Sequence, residues 1–150
     1  MTVGAKNGDK RLLIEQEILK KYKVIAIVGL SKEPQKHSFR VAAYMKQHGY
    51  KVIPVNPLIG SVLGEKSYKS LLDIPIHIRK TIEIIDIFRK AEDVPPIVEQ
   101  AIKLHQENGK PFVVWMQIGI VNEHAAESAR NAGLIVVMNK CLMAEHRHQG

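Results

Sequence analysis

The fold is decided by the stretch Val24-Ile25-Ala26-Ile27-Val28-Gly29-Leu30. It has no polar side chain and is rich in β-branched residues, which is typical of a parallel strand buried on both faces. A polar turn covers residues 31–36, and a helical pattern of apolar residues begins at His37. A buried strand, a glycine turn and a helix in this order predict the first βα unit of an open parallel sheet.

Four further segments have the composition of strands, and helical patterns lie between them. The predicted strands are 24–30, 51–55, 81–88, 112–116 and 134–138, and the predicted helices are 10–21, 37–48, 67–72, 94–108 and 123–131. Asp9, Asp93 and Asn122 are the expected N-caps, because short polar side chains accept hydrogen bonds from the first helical turn. Because parallel strands require right-handed crossovers, we predict a single doubly wound, Rossmann-like α/β domain with a five-stranded parallel sheet and an extra N-terminal helix.

The default strand order for this pattern is 3-2-1-4-5, with the reversal of order between the first and fourth strands. Ligands of doubly wound sheets bind near that reversal, outside the carboxyl ends of the strands. We therefore expect functional residues in the turns that follow the strands. The chain divides into a helical extension (1–22), a Rossmann-like unit (23–146) and a flexible tail (147–150), and we expect the polar stretch 139–150 to be partly ordered.

Composition narrows the range of partners and locations. The net charge of +7 favours an anionic ligand, but basic residues are mixed with acidic ones and only three Phe, four Tyr and one Trp are present. We therefore expect a solvated basic surface and no nucleic-acid interface. The apolar runs are too short to cross a bilayer, no signal-peptide pattern is visible, and a single cysteine excludes an internal disulfide. These features predict a cytoplasmic protein without a membrane partner.

The first strand-to-helix turn is a candidate phosphate site. Gly29 permits a close approach of the backbone to a ligand, and the following helix offers free amide donors at its N-terminus. Leu30 lies in the same turn, where hydroxyls and positive charges come from Ser31, Lys32, Ser38 and Arg40. This set suits a pyrophosphate or a 3′-phosphate. An ordinary βα loop with surface lysines is the open alternative.

Two absences argue against a dinucleotide-dependent dehydrogenase. The turn carries one glycine where the dinucleotide fingerprint G-x-G-x-x-G has three. The second strand ends in Asn56-Pro57, where that fingerprint places an acidic residue for the ribose. An NAD(P)-dependent oxidoreductase or another nucleotide-dependent enzyme stays as the alternative function.

The other strand ends add further candidate contacts. Val55-Asn56-Pro57 closes the second strand, and Asn56 can bond a ribose or a loop backbone. Phe88-Arg89 closes the third strand, where a ring and a guanidinium can meet an adenine or a phosphate. Trp115, Gln117 and Gly119 lie at the end of the fourth strand, where Gln117 and Gly119 can contact a diphosphate or an amide arm. For Phe88 and Trp115, an ordinary place in the core is the alternative.

These residues belong to motifs that resemble a known family. The motifs are Ile27–Ser31 with Ser38–Val41, Gly49–Pro57, Gly64–Tyr68 with Ser70-Leu71, Asp86–Arg89, Val114–Ile120 with Asn122-Glu123, and Val137–Cys141. Over roughly residues 22–146 the chain resembles the stand-alone CoA-binding domain proteins. These are relatives of the CoA-binding domain in the succinyl-CoA synthetase α subunit.

The resemblance implies a Rossmann-type fold with CoA or an acyl-CoA as ligand and its ADP phosphates at the first turn. It implies a binding or regulatory module without catalytic residues, and a homodimer stays open. The predicted CoA contacts are Gly29, Leu30, Ser31, Lys32, Ser38, Arg40, Val55, Asn56, Pro57, Phe88, Arg89, Trp115, Gln117 and Gly119.

The single cysteine is a candidate metal ligand and a candidate nucleophile. Cys141, His146 and His148 fall short of the four ligands of a structural zinc site, so no metal site is predicted. No base for a nucleophilic thiol is visible in the sequence, and a structural thiol after the fifth strand is the simpler interpretation. A mixed disulfide between Cys141 and the CoA thiol is a hypothesis at this stage.

Overall fold

The computed structural model describes residues 14–148, which form an open five-stranded sheet flanked by helices and a separate two-stranded sheet. In chain order the elements are α1 (14–21), β1 (Val24–Val28), α2 (His37–Gln47), β2 (Lys51–Val55), β3 (Ser61–Val62), β4 (Glu65–Lys66), α3 (Ile76–Arg79), β5 (Ile84–Ile87), α4 (Val94–Asn108), β6 (Val113–Met116), α5 (Glu123–Asn131), β7 (Ile135–Val137) and α6 (Leu142–Arg147). Short 3₁₀ turns precede α3 and α4. None of the helices within residues 14–148 has the length and apolarity needed to cross a bilayer.

The predicted doubly wound, five-stranded parallel sheet is confirmed, but the predicted strand order is wrong. The observed order is β2-β1-β5-β6-β7, so the third predicted strand, β5, pairs with β1 instead of β2. Counted over the five parallel strands, the order is 2-1-3-4-5, the flavodoxin-like variant of the doubly wound fold. The reversal of order therefore lies between β1 and β5, whereas the sequence placed it between the first and fourth strands.

Pro54 explains why β2 lies at the edge of the sheet. Its carbonyl accepts from Tyr68 N–H on the side away from β1, and its nitrogen faces the same side without a proton to donate. A third strand on that side would lose a ladder hydrogen bond, so proline is confined to edge strands. Residues around Tyr68 occupy this border instead, where the Asn56 N–H donates to the Tyr68 carbonyl.

Both faces of the sheet are buried, as the β-branched strands predicted. One face packs against α4 and α5 through Val98, Leu104 and Ala126. The other face packs against α1, α2 and α6 through Leu19, Met45 and Leu142. Burial of each Val, Leu or Met side chain contributes about 1.5–3 kcal/mol, so the two layers provide the main stabilisation of the sheet.

The ends of the elements differ from the sequence predictions in three places. The predicted tail from residue 139 is wrong in part, since Leu142–Arg147 form α6 with Leu142 fully buried. The predicted helix over 67–72 is replaced by a 3₁₀ turn at Leu71–Asp73. Asp93 precedes α4 but makes no capping hydrogen bond. The Asn122 cap is confirmed, because its Oδ1 accepts from Ala125 N–H at 2.9 Å, whereas Asp9 lies outside the described residues.

The turn after β1 can only be made by glycine. Gly29 has a φ of +90°, and a Cβ built on it would lie 2.4 Å from the Phe88 carbonyl oxygen. Its N–H donates to Val55 O at 2.8 Å, so the residue joins the ends of β1, β2 and β5. The close approach follows from the pairing of β1 with β5.

We predict that Gly29→Ala destabilises the domain more than Gly49→Ala. Gly49 also has a φ of +90°, but nothing lies within 4 Å of the position that a Cβ would take there. Both substitutions cost about 1–3 kcal/mol for the left-handed backbone. Gly29→Ala should lose about 1–3 kcal/mol more, because the methyl group overlaps the Phe88 carbonyl. Urea unfolding measures both losses, and equal losses would contradict the packing argument.

Candidate ligand-binding site

The carboxyl ends of β1, β2 and β5 surround a cleft of about 160 Å³ beside the order reversal. The cleft is lined by Val28, Val55, Pro57, Lys69, Ser70, Leu71, Arg89, Ile97 and Gln100. Its floor is apolar because Val28, Val55 and Leu71 belong to the buried core. It therefore combines a surface suited to a flat apolar group with a small number of polar groups.

Two positively charged side chains stand at the rim of this cleft. Arg89 and Lys69 are exposed residues of the turns after β5 and β4. The Arg89 guanidinium lies 3.3 Å from the Asp93 carboxylate, and both side chains are more than 40% exposed. An exposed pair of this kind contributes about 0–1 kcal/mol, so Arg89 can exchange Asp93 for a ligand phosphate at little cost.

The first strand-to-helix turn is held in shape by its own hydroxyl groups. Ser31 N–H donates to the Ser38 Oγ at 3.0 Å, and Glu33 N–H donates to the Ser31 Oγ at 3.0 Å. In both bonds the hydroxyl oxygen is the acceptor, which leaves the hydroxyl proton for another partner. Lys32 is exposed on this turn. The turn is therefore pre-formed, with Ser31 half-buried and Lys32 facing solvent.

Asn56 and Leu30 shape the edge of the sheet. Asn56 Nδ2 donates to the Leu30 carbonyl at 3.0 Å, and Asn56 Oδ1 accepts from Leu58 N–H at 2.9 Å. The Leu30 side chain is fully buried in the core that faces α2. The Leu30 side chain therefore faces the core, which leaves its backbone as the part of Leu30 in the turn, and Asn56 bonds a loop backbone, the second of its two predicted roles.

Two of the three predicted contacts at the end of the fourth strand, β6, are buried side chains. Trp115 is fully buried and its Nε1 donates to Lys140 O at 2.8 Å, which fits the alternative of an ordinary place in the core. Gln117 is 1% exposed and its Oε1 accepts from Leu142 N–H at 3.1 Å. Gly119 is exposed, and its N–H donates to Asn139 Oδ1 at 2.6 Å.

Arg40 lies apart from the cleft that contains Arg89. It is exposed on α2 and lines a groove between α2 and α6. The other residues of this groove are Pro34, Phe39, Ala43, Tyr44, Gln47, Met143 and Arg147. Of the predicted contacts, the cleft at the order reversal brings together Val55, Pro57 and Arg89.

Sequence reasoning missed the cleft residues outside the strand ends, namely Lys69, Ser70, Leu71, Ile97 and Gln100. Lys69 to Leu71 come from the long connection after β2. Tyr68 pairs with the β2 border and so returns the chain to the strand end. Pro54 was the available signal, because a proline within a strand indicates an edge that another segment can cover.

Asp86 is an unusual buried group behind the order reversal. It is fully buried on β5, and its two oxygens make no well-formed hydrogen bond to residues 14–148. Burial raises the pKa of Asp86 well above its ordinary value, and the Ile87 backbone opposes this shift only in part. The carboxyl is therefore held in its neutral form, because an unpaired charge in the core is very costly.

The profile of the family described as CoA binding domain matches residues 23–147. The chain belongs to this family. The match spans the whole sheet and every strand end described above. Membership of this family supports CoA binding at a general level.

The chain is also similar to curated proteins and to a solved structure. The domain is 38% identical to the uncharacterized Bacillus subtilis protein YneT over 131 residues, which cover 87% of this chain and 90% of YneT. It is 40% identical over 55 residues to the ADP-forming acetate–CoA ligase II of Archaeoglobus fulgidus, which is 35% of this chain and 8% of the ligase. A solved structure of a hypothetical protein from Pyrococcus horikoshii OT3 is 44% identical, with a TM-score of 0.81 over 89% of this chain and 88% of that chain.

We predict that Asp86→Asn stabilises the domain at pH 7 and much less at pH 4. In the unfolded chain the carboxyl ionises near pH 3.9, whereas the folded domain retains the proton to a higher pH. Ionisation therefore favours the unfolded chain increasingly as the pH rises above about 4. The amide of Asn removes this penalty, so the midpoint of urea unfolding should rise at pH 7.

Asp73→Asn is the matched control for this experiment. Asp73 is exposed and its carboxylate accepts from the Ser70 hydroxyl at 2.9 Å. This variant should show no stability gain that grows between pH 4 and pH 7. An Asp86→Asn variant that is equally destabilised at both pH values would show that the carboxyl makes an essential bond in the folded domain.

Proposed function

We propose that the domain binds CoA or an acyl-CoA through the ADP part of the molecule, in the cleft at the ends of β1, β2 and β5. The observation that carries the proposal is that two positively charged side chains, Arg89 and Lys69, stand at the rim of an apolar cleft at the order reversal. This is where doubly wound sheets bind nucleotides. Membership of the CoA binding domain family supports CoA as the nucleotide.

The lining residues match the parts of ADP in character. Val28, Val55 and Pro57 offer an apolar surface to the adenine, and Ile97 of α4 lines the same cleft. Arg89 and Lys69 supply positive charge for the phosphates, and Arg is suited to bidentate phosphate contacts. The pre-formed turn with Ser31 and Lys32 lies directly after β1, whose last residue, Val28, lines the cleft. The pyrophosphate is assigned to that turn.

The lining residues favour a binding module over an enzyme. Among the described residues of the cleft, the ionisable side chains are the cations Lys69 and Arg89. General acid–base chemistry near neutral pH is most often carried out by an imidazole or a carboxylate, and the lining has neither. We therefore assign the domain a carrier or regulatory role in which the acyl group is left unchanged.

Titration calorimetry tests the ligand. CoA and acetyl-CoA should bind with similar affinity, because they share the 3′-phosphorylated ADP. Both should bind more tightly than NAD or NADP, because the first turn lacks the dinucleotide fingerprint. Acetyl-CoA should be recovered intact after prolonged incubation, as measured by the absence of released thiol. Tighter binding of NADP than of CoA would contradict the ligand, and rapid thiol release would contradict the non-catalytic role.

We predict that Arg89→Gln weakens CoA binding by about 10- to 100-fold. The variant keeps much of the side-chain stem and removes a charge-assisted contact to phosphate, which is typically worth about 1.5–3 kcal/mol. Lys69→Gln should weaken binding by a similar or smaller factor. The loss should shrink at high salt, because the contact is partly exposed.

Arg130→Gln is the matched control, since Arg130 is an exposed arginine in the last turn of α5. It changes the net charge by the same amount as Arg89→Gln but should leave the affinity for CoA within about twofold. Equal losses in the two variants would mean that overall charge, rather than the cleft, determines the affinity.

A further inference from the structure

A thiol and an imidazole meet on the face of the sheet opposite the cleft. Cys141 follows β7, and its Sγ lies 3.6 Å from Nε2 of His37, the first residue of α2. The His37 ring also contacts the Phe88 ring edge-on, with the centroids 5.8 Å apart. Phe88 precedes the cleft residue Arg89, so the pair lies beside the order reversal. A thiol next to an imidazole is the arrangement of an activated nucleophile.

The position of the thiol is fixed on both sides by interior groups. The Lys140 carbonyl accepts from Trp115 Nε1 at 2.8 Å, and Leu142 N–H donates to Gln117 Oε1 at 3.1 Å. These two bonds flank Cys141 in the chain. Cys141 is 7% exposed as a residue and lies at the margin of the buried core. This role accounts for the burial of Trp115 and Gln117 at the end of β6.

An unused amide beside Cys141 points to a missing ligand. Gln117 is 1% exposed, and its Nε2 has no hydrogen-bond partner within residues 14–148. Because the other end of this amide is bonded to Leu142 N–H, the free donor lies next to the Cys141 peptide. A buried donor without an acceptor costs about 1–3 kcal/mol, which an incoming carbonyl would recover. The arm of CoA that carries its thiol contains two amide carbonyls.

His37 is in the protonation state that a base requires. Burial lowers the pKa of His37, and the Arg40 charge lowers it further. The imidazole is therefore neutral at pH 7 and can accept the proton of the Cys141 thiol. The thiolate, and not the thiol, is the attacking species in disulfide exchange.

We propose that Cys141 exchanges with the disulfide form of CoA and holds one CoA as a mixed disulfide. His37 takes the thiol proton, and the Cys141 sulfur attacks one sulfur of the CoA disulfide. The bond between the two CoA sulfurs breaks, the Cys141–CoA bond forms, and the departing CoA thiolate takes the proton back. Cys141 is oxidised and one CoA sulfur is reduced, so the CoA disulfide supplies the oxidant. The inference rests on the proposed function, because ADP bound in the cleft directs the arm past Phe88 to Cys141.

Intact-protein mass spectrometry tests the exchange. Full-length protein incubated with CoA disulfide should gain the mass of one CoA less two hydrogens, one from each thiol, and a reducing agent should reverse the gain. Cys141→Ser should gain no mass, because the chain has one cysteine. Oxidised glutathione at the same concentration should react at least about tenfold more slowly, since it lacks the nucleotide that the cleft binds.

His37→Gln tests the base through the pH dependence of the rate. At pH 7 the variant should form the adduct about 10²-fold more slowly, in the range of general-base catalysis. The difference should narrow as the pH rises, because hydroxide then removes a thiol proton without help from an imidazole. A purely structural role of His37 would slow the reaction equally at every pH, and that result would overturn the assignment of the base.

The outcomes separate this inference from the proposed function. Cys141→Ser should still bind reduced CoA in the calorimeter. Binding of CoA without adduct formation in the wild-type protein would overturn the exchange and leave the proposed function standing. Equal rates with oxidised glutathione and CoA disulfide would also overturn it, because the thiol would then be reactive without recognition. Absence of CoA binding in both proteins would instead remove the proposed function.

Discussion

Gly29 and the Phe88 carbonyl approach each other so closely that no side chain fits between them. This contact follows from the parallel pairing of β1 with β5, which runs from Ile25 to Val28 on one strand. The helix after β1 lies on one face of the sheet and the helix after β5 on the other, so the two turns separate at this point. The cleft with Arg89 opens toward α4, and the Cys141 thiol lies on the side of α2. The pairing of β1 with β5 therefore determines on which side of the sheet the Arg89 cleft and the Cys141 thiol lie.

Much of the fold could be predicted because buried parallel strands have a simple composition. The β-branched run at 24–30 and the four similar runs predicted the strands, and Asn122 predicted the start of α5. The strand order was not predictable from periodicity, since both common orders use the same alternation of strands and helices. Pro54 was the local signal that β2 is an edge strand, because proline has no N–H to donate to a further strand. The helix at Leu142–Arg147 was also missed, because a segment of six residues is too short to show a helical pattern of its own.

The candidate site could be predicted at the level of the sheet edge but less well at the level of side chains. Strand ends converge in any parallel sheet, which is why Val55, Pro57 and Arg89 were named correctly as neighbours. The direction of each side chain depends on the faces of the sheet, and sequence alone does not reveal that Trp115 and Gln117 point into the layer beneath α6. Lys69 reaches the cleft through a loop that returns along β2, and such a tertiary contact leaves no local pattern.

The border of the sheet formed by β2 has a consequence for self-association. A foreign strand that approached this border would have to displace the backbone bonds of Tyr68, and it would find no amide proton at Pro54. Templated growth of cross-β assemblies begins at such unpaired borders. Pro54, which places β2 at the edge of the native sheet, thus also protects that edge against the addition of strands from other molecules.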